Sequence, residues 1–390
     1  MPNHPSFLLN RSALSLLGAF QAAGEEARFV GGCVRDVMAG VAVGDLDLAT
    51  TALPERAMEI VAAAGFAAKP IGLAHGVILA HGAGQSFEIA TLREDVKTDG
   101  RHALVAFTRD WKLDAQRRDF TINAMSMDTA GRLYDYCGGE EDLRLRRVRF
   151  IGDADRRITE DYLRILRYYR FSARFGDFVD EDARAACRRH KGSLGQLSPE
   201  RVTDEIKKIL SLPTPQAVCH VIAQDHVLND WGLVDASGLM RLLLREKELG
   251  VPQRWTIRLA AWLGFAYEFN DNKLMPFVFS RAERAEIAQA ATIDIGHILP
   301  SLHHYGVEVV RAAVLLRHDD PTGVIKIIEN YAPKDFPLQA EDLLAIGMVP
   351  GPMLGQALRA AEDWWLKNNR EPDAAACRDY AATSSAASNM

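Results

Sequence analysis

Residues 29–50, FVGGCVRDVMAGVAVGDLDLAT, constrain this chain more than any other stretch of it. An apolar lead-in runs into Gly31 and Gly32, Arg35 and Asp36 follow, and Asp45 and Asp47 stand one residue apart. In an extended segment residues i and i+2 share a face, so a strand over 44–49 projects Asp45 and Asp47 together and sends Leu46 and Leu48 into the core. Two adjacent carboxylates invite a cation. Mg²⁺ takes hard oxygen ligands, commonly one or two carboxylates, with water and substrate phosphate completing its shell. Glycines let backbone N–H groups approach anionic oxygens closely, and a helix starting near Val34 aims its positive end at the same place. Arg35 adds a fork of donors suited to a polyphosphate. Taken singly, a D-x-D pair also reads as a solvated turn and a Gly-Gly pair as a plain turn. The ordered combination is what points to phosphate and metal chemistry. No G-x-G-x-x-G follows the strand, which argues against a dinucleotide fold.

A chain of 390 residues has room for about two to four domains. No apolar run is long enough to span a bilayer, and MPNHPSFLLNRS lacks a basic segment followed by an apolar core, so a cytoplasmic protein with no membrane partner is expected. The five cysteines are scattered without C-x-x-C spacing, which argues against a zinc site and a disulfide framework alike. Net charge is −6, yet residues 144–191 hold fourteen Lys or Arg against eight Asp or Glu. That stripe either supplies phosphate contacts or forms a set of solvated helix faces.

Along the chain, residues 12–25 read as an amphipathic helix and Phe29-Val30 as a strand entering the glycines. Pro54 opens a helix that runs to Gly65. Segments 76–80 and 86–92 read as strands around Gly82-Ala83-Gly84, with Phe87 and Ile89 on one face and Glu88 on the other. Glu88 joins the two aspartates if its strand lies beside theirs, and otherwise faces solvent. Residues 94–106 lack periodicity and are expected to form a mobile loop. In LDAQRRDFTINAMSMD, residues 113–128, polar and core residues are crowded together. They fit either a helix lining a site or a capped helix with an Arg-Asp salt bridge. Beyond residues 134–139 the pattern is helical to the end. Over 160–175, Asp161, Arg164 and Arg167 recur at spacings of three along one helix face, opposite Leu163, Leu166 and Phe171. The Asp-Arg pair there is either a surface salt bridge or an acceptor and donor offered to a base edge. Ser198-Pro199 opens a further helix. His303, His304 and His318-Asp319 suggest an HD-type metal site, but no complementary ligand set accompanies them. The last ten residues are small and polar and are expected to be disordered.

Taken together, these segments resemble the bacterial class II tRNA nucleotidyltransferases and the related poly(A) polymerases of the polymerase-β-like superfamily. The matching motifs are GGCVRD with DLD, RRDFTINAM, YCGGEEDLRLRRVRFIGDADRRITED, EDYLR and PERVTDEIKKIL. FPLQAEDLLAIGMVPGPMLGQALRAAEDWW looks like the tail of CCA-adding members. The resemblance implies an α+β head with a small mixed sheet (residues 1–137), then an all-α neck (138–212), body (213–300) and tail (301–390). It implies that Asp45 and Asp47 hold catalytic Mg²⁺ and that Glu88 is a third carboxylate. Gly31, Gly32 and Arg35 would hold the triphosphate, and Arg118, Asp119 and Asn123 the ribose. Asp161 and Arg164 would read the base edge, with Arg167 and Arg170 alongside. Cytosine and adenine both offer an amino donor beside a ring-nitrogen acceptor, which suits an Asp and an Arg, whereas guanine and uracil put a carbonyl against the carboxylate. Ala103 and Ala154 stand where relatives often have proline, which bears on loop stiffness rather than on a ligand.

The implied activity is addition of CCA to the 3′ end of tRNA from CTP and ATP, with the neck and tail holding the acceptor arm. Poly(A) synthesis, and addition of CC or A alone, use the same head motifs. The tail segment and the loop at 94–106, on which the family's switch from C to A depends, favour CCA. A non-catalytic RNA-binding protein would not require both Asp45 and Asp47.

Overall fold

The computed structural model describes residues 10–98, 103–178 and 180–387, and the chain divides into two compact units, Met1–Asp230 and Trp231–Met390. The first unit opens with α1 (Arg11–Ala22), whose Leu16, Leu17 and Phe20 are buried at helical spacing and whose Ala13 N–H donates to the Asn10 side chain at 3.0 Å. β1 (Ala27–Val30), α2 (Gly32–Met38), β2 (Asp47–Thr50) and α3 (Pro54–Ala63) follow. Next come β3 (Ala67–Gly72), β4 (Val77–Gly82) and β5 (Gln85–Thr91), then a separate antiparallel hairpin of β6 (Arg93–Thr98) and β7 (Ala103–Phe107). α4 (Trp111–Gln116), β8 (Ser126–Met127), β9 (Leu133–Tyr134) and α5 (Gly139–Arg144) complete the α+β part.

Seven strands form one mixed sheet in the order β3-β4-β5-β2-β1-β8-β9. Only β2 and β5 run parallel within it, in a register that sets Asp47 opposite Glu88 and Leu48 opposite Ile89. Leu48, Ile89, Phe29, Ile78 and Phe87 pack from the sheet against Leu16, Phe20, Ile60 and Val61 of the helices. One sheet face is therefore sealed by core, and Asp47 and Glu88, a residue out of phase, stand on the other.

The rest of this unit is helical: α6 (Ala154–Glu160), α7 (Leu163–Phe175), α8 (Glu181–His190), α9 (Pro199–Leu210) and α10 (Gln216–Gln224). An aromatic cluster ties α7 to the α+β part, with Phe120 4.8 Å from Phe150 and 5.6 Å from Phe171, and Phe150 stacked on Tyr168 at 5.9 Å. Buried Asp142 adds a polar tie by accepting from Thr121 Oγ1 at 2.6 Å, Arg147 Nε at 2.7 Å and Arg149 Nε at 2.9 Å. A Cβ on Gly139 would collide with the Thr121 carbonyl, so α5 approaches the 121–123 turn only because that position is glycine.

The second unit comprises α11 (Ser237–Leu249), α12 (Trp255–Trp262), α13 (Arg281–Thr292), α14 (Ile298–Arg317), α15 (Thr322–Glu329), α16 (Ala340–Ala345), α17 (Pro352–Lys367) and α18 (Ala374–Ala387). Arg258 and Glu246 are buried within it as an ion pair at 2.7 Å. His303 faces Glu362 at 3.0 Å, and among the described residues no group of three or more His, Cys, Asp or Glu is arranged to hold a metal. No described helix is long and apolar enough to cross a membrane.

The α+β head followed by helices agrees with the fold implied by the sequence, but several local expectations need correction. The segment 94–106 is largely the β6/β7 hairpin rather than a loop; its residues 99–102 lie outside the described residues. The register shift between Asp95 and Lys97 breaks the alternation by which a strand is read. Residues 113–128 are not one helix: α4 stops at Gln116, a 3₁₀ turn covers Thr121–Asn123, and β8 begins at Ser126. The helix over 160–175 is broken at Asp161, which is extended with φ −158° and ψ 106°. Residues 381–387 continue α18 instead of being disordered, and 388–390 lie outside the described residues.

Candidate functional site

Asp47 is the first residue of β2, while Asp45 sits exposed in the bend before it, so the two carboxylates do not share one strand as expected. They nonetheless line the same cavity. Burial pushes the Asp47 carboxyl up to about 6, helped by the charges of Glu88 and Asp45 and opposed by Arg118. Glu88 stands beside Asp47 on the neighbouring strand without itself lining the cavity. A half-buried carboxylate crowded by like charges is stabilised by a divalent cation, and two carboxylates are a sufficient protein share of a Mg²⁺ shell. The residues present fit such an ion.

Gly31 takes φ +68° at the start of α2, and a Cβ there would lie 2.9 Å from Arg118 Nη1. That position needs glycine for both its backbone angle and the approach of Arg118. Four residues on, Arg35 is buried. It donates from Nε at 2.8 Å and Nη2 at 2.5 Å to Asp36 Oδ1, and from Nη1 at 2.6 Å to Asn123 Oδ1. Its guanidinium lies 4.2 Å from the Phe175 ring and 4.9 Å from that of Phe171. Burial lowers the Arg35 pKa despite Asp36, yet a guanidinium remains charged at any physiological pH.

The RRDFTIN segment crosses between sheet and helices. Asp114 of α4 is buried and pairs with Arg117 at 2.7 Å and Arg118 at 3.2 Å. Burial opposes the Asp114 charge, but Arg118 and Arg117 outweigh it and hold the carboxyl below its usual range. Asp119 looks the other way. It accepts from Arg167 Nε at 2.7 Å, Asn123 Nδ2 at 3.0 Å and the Phe120 N–H at 2.9 Å. Burial again opposes its charge, and Arg167 with Asn123 reverses the balance and lowers its pKa. Arg157 of α6 donates to the carbonyls of Arg117 and Arg118, so α6 braces this segment's backbone. The segment is not a helix, but it lines the cavity and carries the salt bridge as well, with Asp114 as the partner the sequence did not indicate.

From the helical side, Arg164 donates to Glu160 Oε2 at 2.7 Å and to the Arg157 carbonyl at 2.7 Å. Asp161 accepts the Leu163 N–H at 3.1 Å on Oδ1 and Arg201 Nη2 at 2.8 Å on Oδ2. The expected i, i+3 pair between Asp161 and Arg164 is replaced by these two separate partnerships. Arg170 donates to Glu205 of α9, and its guanidinium lies 4.3 Å from the Phe171 ring.

One cavity of about 710 Å³ is lined by Gly31, Gly32, Arg35, Asp45, Asp47, Arg118, Asp119, Asn123, Asp161, Arg164, Arg167 and Arg170. Arg117, Phe171 and Lys208 line it too and were not anticipated as site residues. Phe171 reads as core from its helical spacing, and Lys208 belongs to PERVTDEIKKIL, whose role the sequence left open. Seven basic side chains and four carboxylates face this space, with Asp45 and Asp47 from the sheet side. A polyanion with a polar, flat end suits it in volume and charge. The basic stripe over 144–191 is meanwhile spent mostly on internal ion pairs, among them Arg147 and Arg149 with Asp142, Arg184 with Asp225 and Arg189 with Asp155.

Two family models match the chain: the poly A polymerase head domain over residues 27–149, and the probable RNA and SrmB-binding site of polymerase A over residues 178–230. The mitochondrial CCA tRNA nucleotidyltransferase 1 of Mus musculus is 33% identical, with 93% of this chain and 87% of the mouse protein aligned. The CCA-adding enzyme of Anoxybacillus flavithermus is 28% identical over 95% of this chain and 96% of its own. Among solved structures, the Bacillus stearothermophilus CCA-adding enzyme in complex with CTP superposes with a TM-score of 0.73 at 26% identity, covering 94% of both chains. With a third of its residues shared with a CCA tRNA nucleotidyltransferase across nearly the whole of both chains, this chain belongs to the CCA tRNA nucleotidyltransferase family.

Proposed function

We propose that this protein adds CCA to the 3′ end of tRNA from CTP and ATP, with no nucleic-acid template. The observation that carries the reading is that twelve of the thirteen residues singled out in the sequence face one cavity, Glu88 being the exception. Membership of a nucleotidyltransferase family brings dependence on a divalent metal. We assign it as Mg²⁺ held by Asp45 and Asp47, with Glu88 adding negative charge from the adjacent strand.

The reaction is attack of the RNA 3′-hydroxyl on the nucleotide α-phosphate, with pyrophosphate leaving. When bound, Mg²⁺ supplies charge that eases deprotonation of that hydroxyl and offsets the charge gathering on pyrophosphate. The backbone at Gly31 and Gly32, with Arg35 and Arg118, grips the triphosphate. The cluster of Arg118, Asp119 and Asn123 meets the ribose. Asp161 and Arg164 present an acceptor and a donor to the base edge, and Arg167 and Arg170 flank it. No covalent intermediate is needed, since positioning and electrostatics provide the acceleration.

The acceptor arm of tRNA is the proposed RNA partner, supported by the RNA-binding model over 178–230. Within the chain we assign residues 1–137 as head, 138–212 as neck, 213–300 as body and 301–390 as tail. All five cysteines are free, which suits a reducing compartment and supports placement in the cytoplasm. The test is incubation of purified protein with Mg²⁺ and tRNA lacking its 3′ end, with CTP and ATP singly and together. Ordered addition that stops after CCA is expected. Long A-tails would mean a poly(A) polymerase, and no incorporation would overturn the enzyme reading.

A further inference from the structure

PERVTDEIKKIL, the sequence motif with no chemistry of its own, forms α9. Its Val202, Ile206, Ile209 and Leu210 are buried. Its polar face is aimed at the nucleotide cavity. Arg201 holds Asp161 at 2.8 Å, Glu205 holds Arg170, and Lys208 lines the cavity itself. Positions i, i+4 and i+7 share a helix face, so a single rigid ridge reaches both an acceptor and a donor of the proposed base-reading set.

We propose that Arg201 is a specificity-determining positioning residue, which keeps Asp161 apart from Arg164 and fixed for the incoming base. Resting on the base-reading role given to Asp161 above, the inference follows from where that residue sits. Asp161 lies in an extended break between α6 and α7, outside the regular helix. Its carboxylate is oriented by one backbone and one side-chain donor, the Leu163 N–H on Oδ1 and Arg201 on Oδ2. Arg164 is only three residues away, and a freed carboxylate would be drawn to that guanidinium. A closed Asp161–Arg164 pair would satisfy itself and offer the base neither a fixed acceptor nor a free donor. Glu160 holds Arg164 from one side and Arg201 holds Asp161 from the other, so the pair stays open. Each Asp161 oxygen has a second lone pair left for an exocyclic amino group.

The experiment measures kcat/KM for CTP against UTP, and for ATP against GTP, in Arg201→Met, Arg201→Lys and Asp161→Ala, with thermal melts of each. Arg201→Met is expected to lower discrimination about tenfold, the worth of one charge-assisted hydrogen bond, and to raise KM more than it lowers kcat. Arg201→Lys restores the charge without the fork and should recover most of the loss. A purely structural Arg201 would lower the melting temperature and kcat while leaving both ratios at wild-type values, and that result overturns the proposal. Should Arg201→Met not fold, Arg201→Gln decides, because it too removes the charge: unchanged ratios there refute the proposal and a partial loss supports it. If Asp161→Ala itself leaves discrimination intact, the base-reading assignment falls. If Asp161→Ala relaxes discrimination and Arg201→Met does not, only the role of Arg201 falls.

Discussion

At the sheet side of the cavity Arg35 folds back on its sequence neighbour, donating through Nε at 2.8 Å and Nη2 at 2.5 Å to Asp36. On the helical side, Asp161 and Arg164 are also close in sequence, yet Arg164 turns to Glu160 at 2.7 Å and Asp161 to Arg201 at 2.8 Å. Burial of the carboxylate marks the difference. The Arg35 and Asp36 side chains are 7% and 10% exposed, and charges removed that far from water have to be paired where they stand. Arg164 is similarly buried at 12%, but Asp161 keeps 27% of its side chain exposed, so that carboxylate can stay within reach of a ligand. The closed pair builds the cavity wall, and the open one is suited to recognition.

The largest effect is expected from the carboxylates on the sheet side of the cavity. Asp47→Ala should lower nucleotide incorporation by at least about a thousandfold, since it removes transition-state charge stabilisation worth several kcal/mol. Binding of tRNA should largely survive, as measured by filter retention. Incorporation within tenfold of wild type would sink the metal assignment.

Next in size is the closed pair itself. Asp36→Ala leaves Arg35 buried with Asn123 as its remaining hydrogen-bond partner on that side of the cavity. A buried charge that loses its counter-ion costs about 3 kcal/mol or more of folding stability. Urea denaturation should register that loss in the midpoint without a change in slope. A shift worth less than about 1 kcal/mol would mean that the pair is not structural, and the contrast with Asp161 and Arg164 would collapse.

A smaller effect follows from the raised pKa of Asp47, near 6 against an ordinary carboxylate value of 3.8. Because the folded state binds this proton more tightly than the unfolded chain, the group's stabilising contribution is fully present below the unfolded value. It is lost as pH rises through about 6. In EDTA, the wild-type protein should therefore lose stability from this source between about pH 4 and pH 7, whereas Asp47→Asn should not. At neutral pH the asparagine variant should melt a few degrees higher than wild type without metal, and should gain less than wild type from added Mg²⁺. Equal melting temperatures across that range would remove burial and like charge as the cause of the shift.

How far the two regions could be read from sequence differs for the same physical reason that their ion pairs do. The sheet side was legible because its determinants are local: the glycines, Arg35 and the aspartates lie within one stretch, and alternation in β5 put Glu88 on the open face. The register between β2 and β5 then set Glu88 opposite Asp47. Asp45 was misplaced onto the strand because period-two alternation says nothing about where a strand begins. β3 went unseen because it is an edge strand with mostly exposed residues and no apolar alternation to reveal it. On the helical side the residues singled out line the cavity, but their partners could not be read. Arg201 lies 40 residues beyond Asp161, and Glu205 35 beyond Arg170, so nothing in a local window links them. Phe171 is buried as its spacing indicates, but spacing did not show that the guanidiniums of Arg35, Arg167 and Arg170 all lie within 5.2 Å of its ring.

The smallest expected effect sharpens the comparison most, because it tries to convert the open pair into a closed one. Glu160→Gln keeps an acceptor for Arg164 but removes the charge that competes with Asp161. Arg164 then meets one full negative charge instead of two, and its balance tips toward Asp161. Glu160 also pairs with Arg157, and the side chains of Arg157, Arg164 and Glu160 are only 10%, 12% and 15% exposed, so some stability is lost with the charge even though Arg164 still has the Arg157 carbonyl at 2.7 Å. Discrimination between CTP and UTP should fall about twofold to fivefold, the range of a weakened ion pair. The same substitution in an Arg201→Met background should add little, because a pair already released from one side has less to lose from the other. Strictly additive losses would mean that Glu160 and Arg201 act on the base independently. In that case Asp161 and Arg164 would be two separate readers, and their spacing of three residues would carry no functional weight.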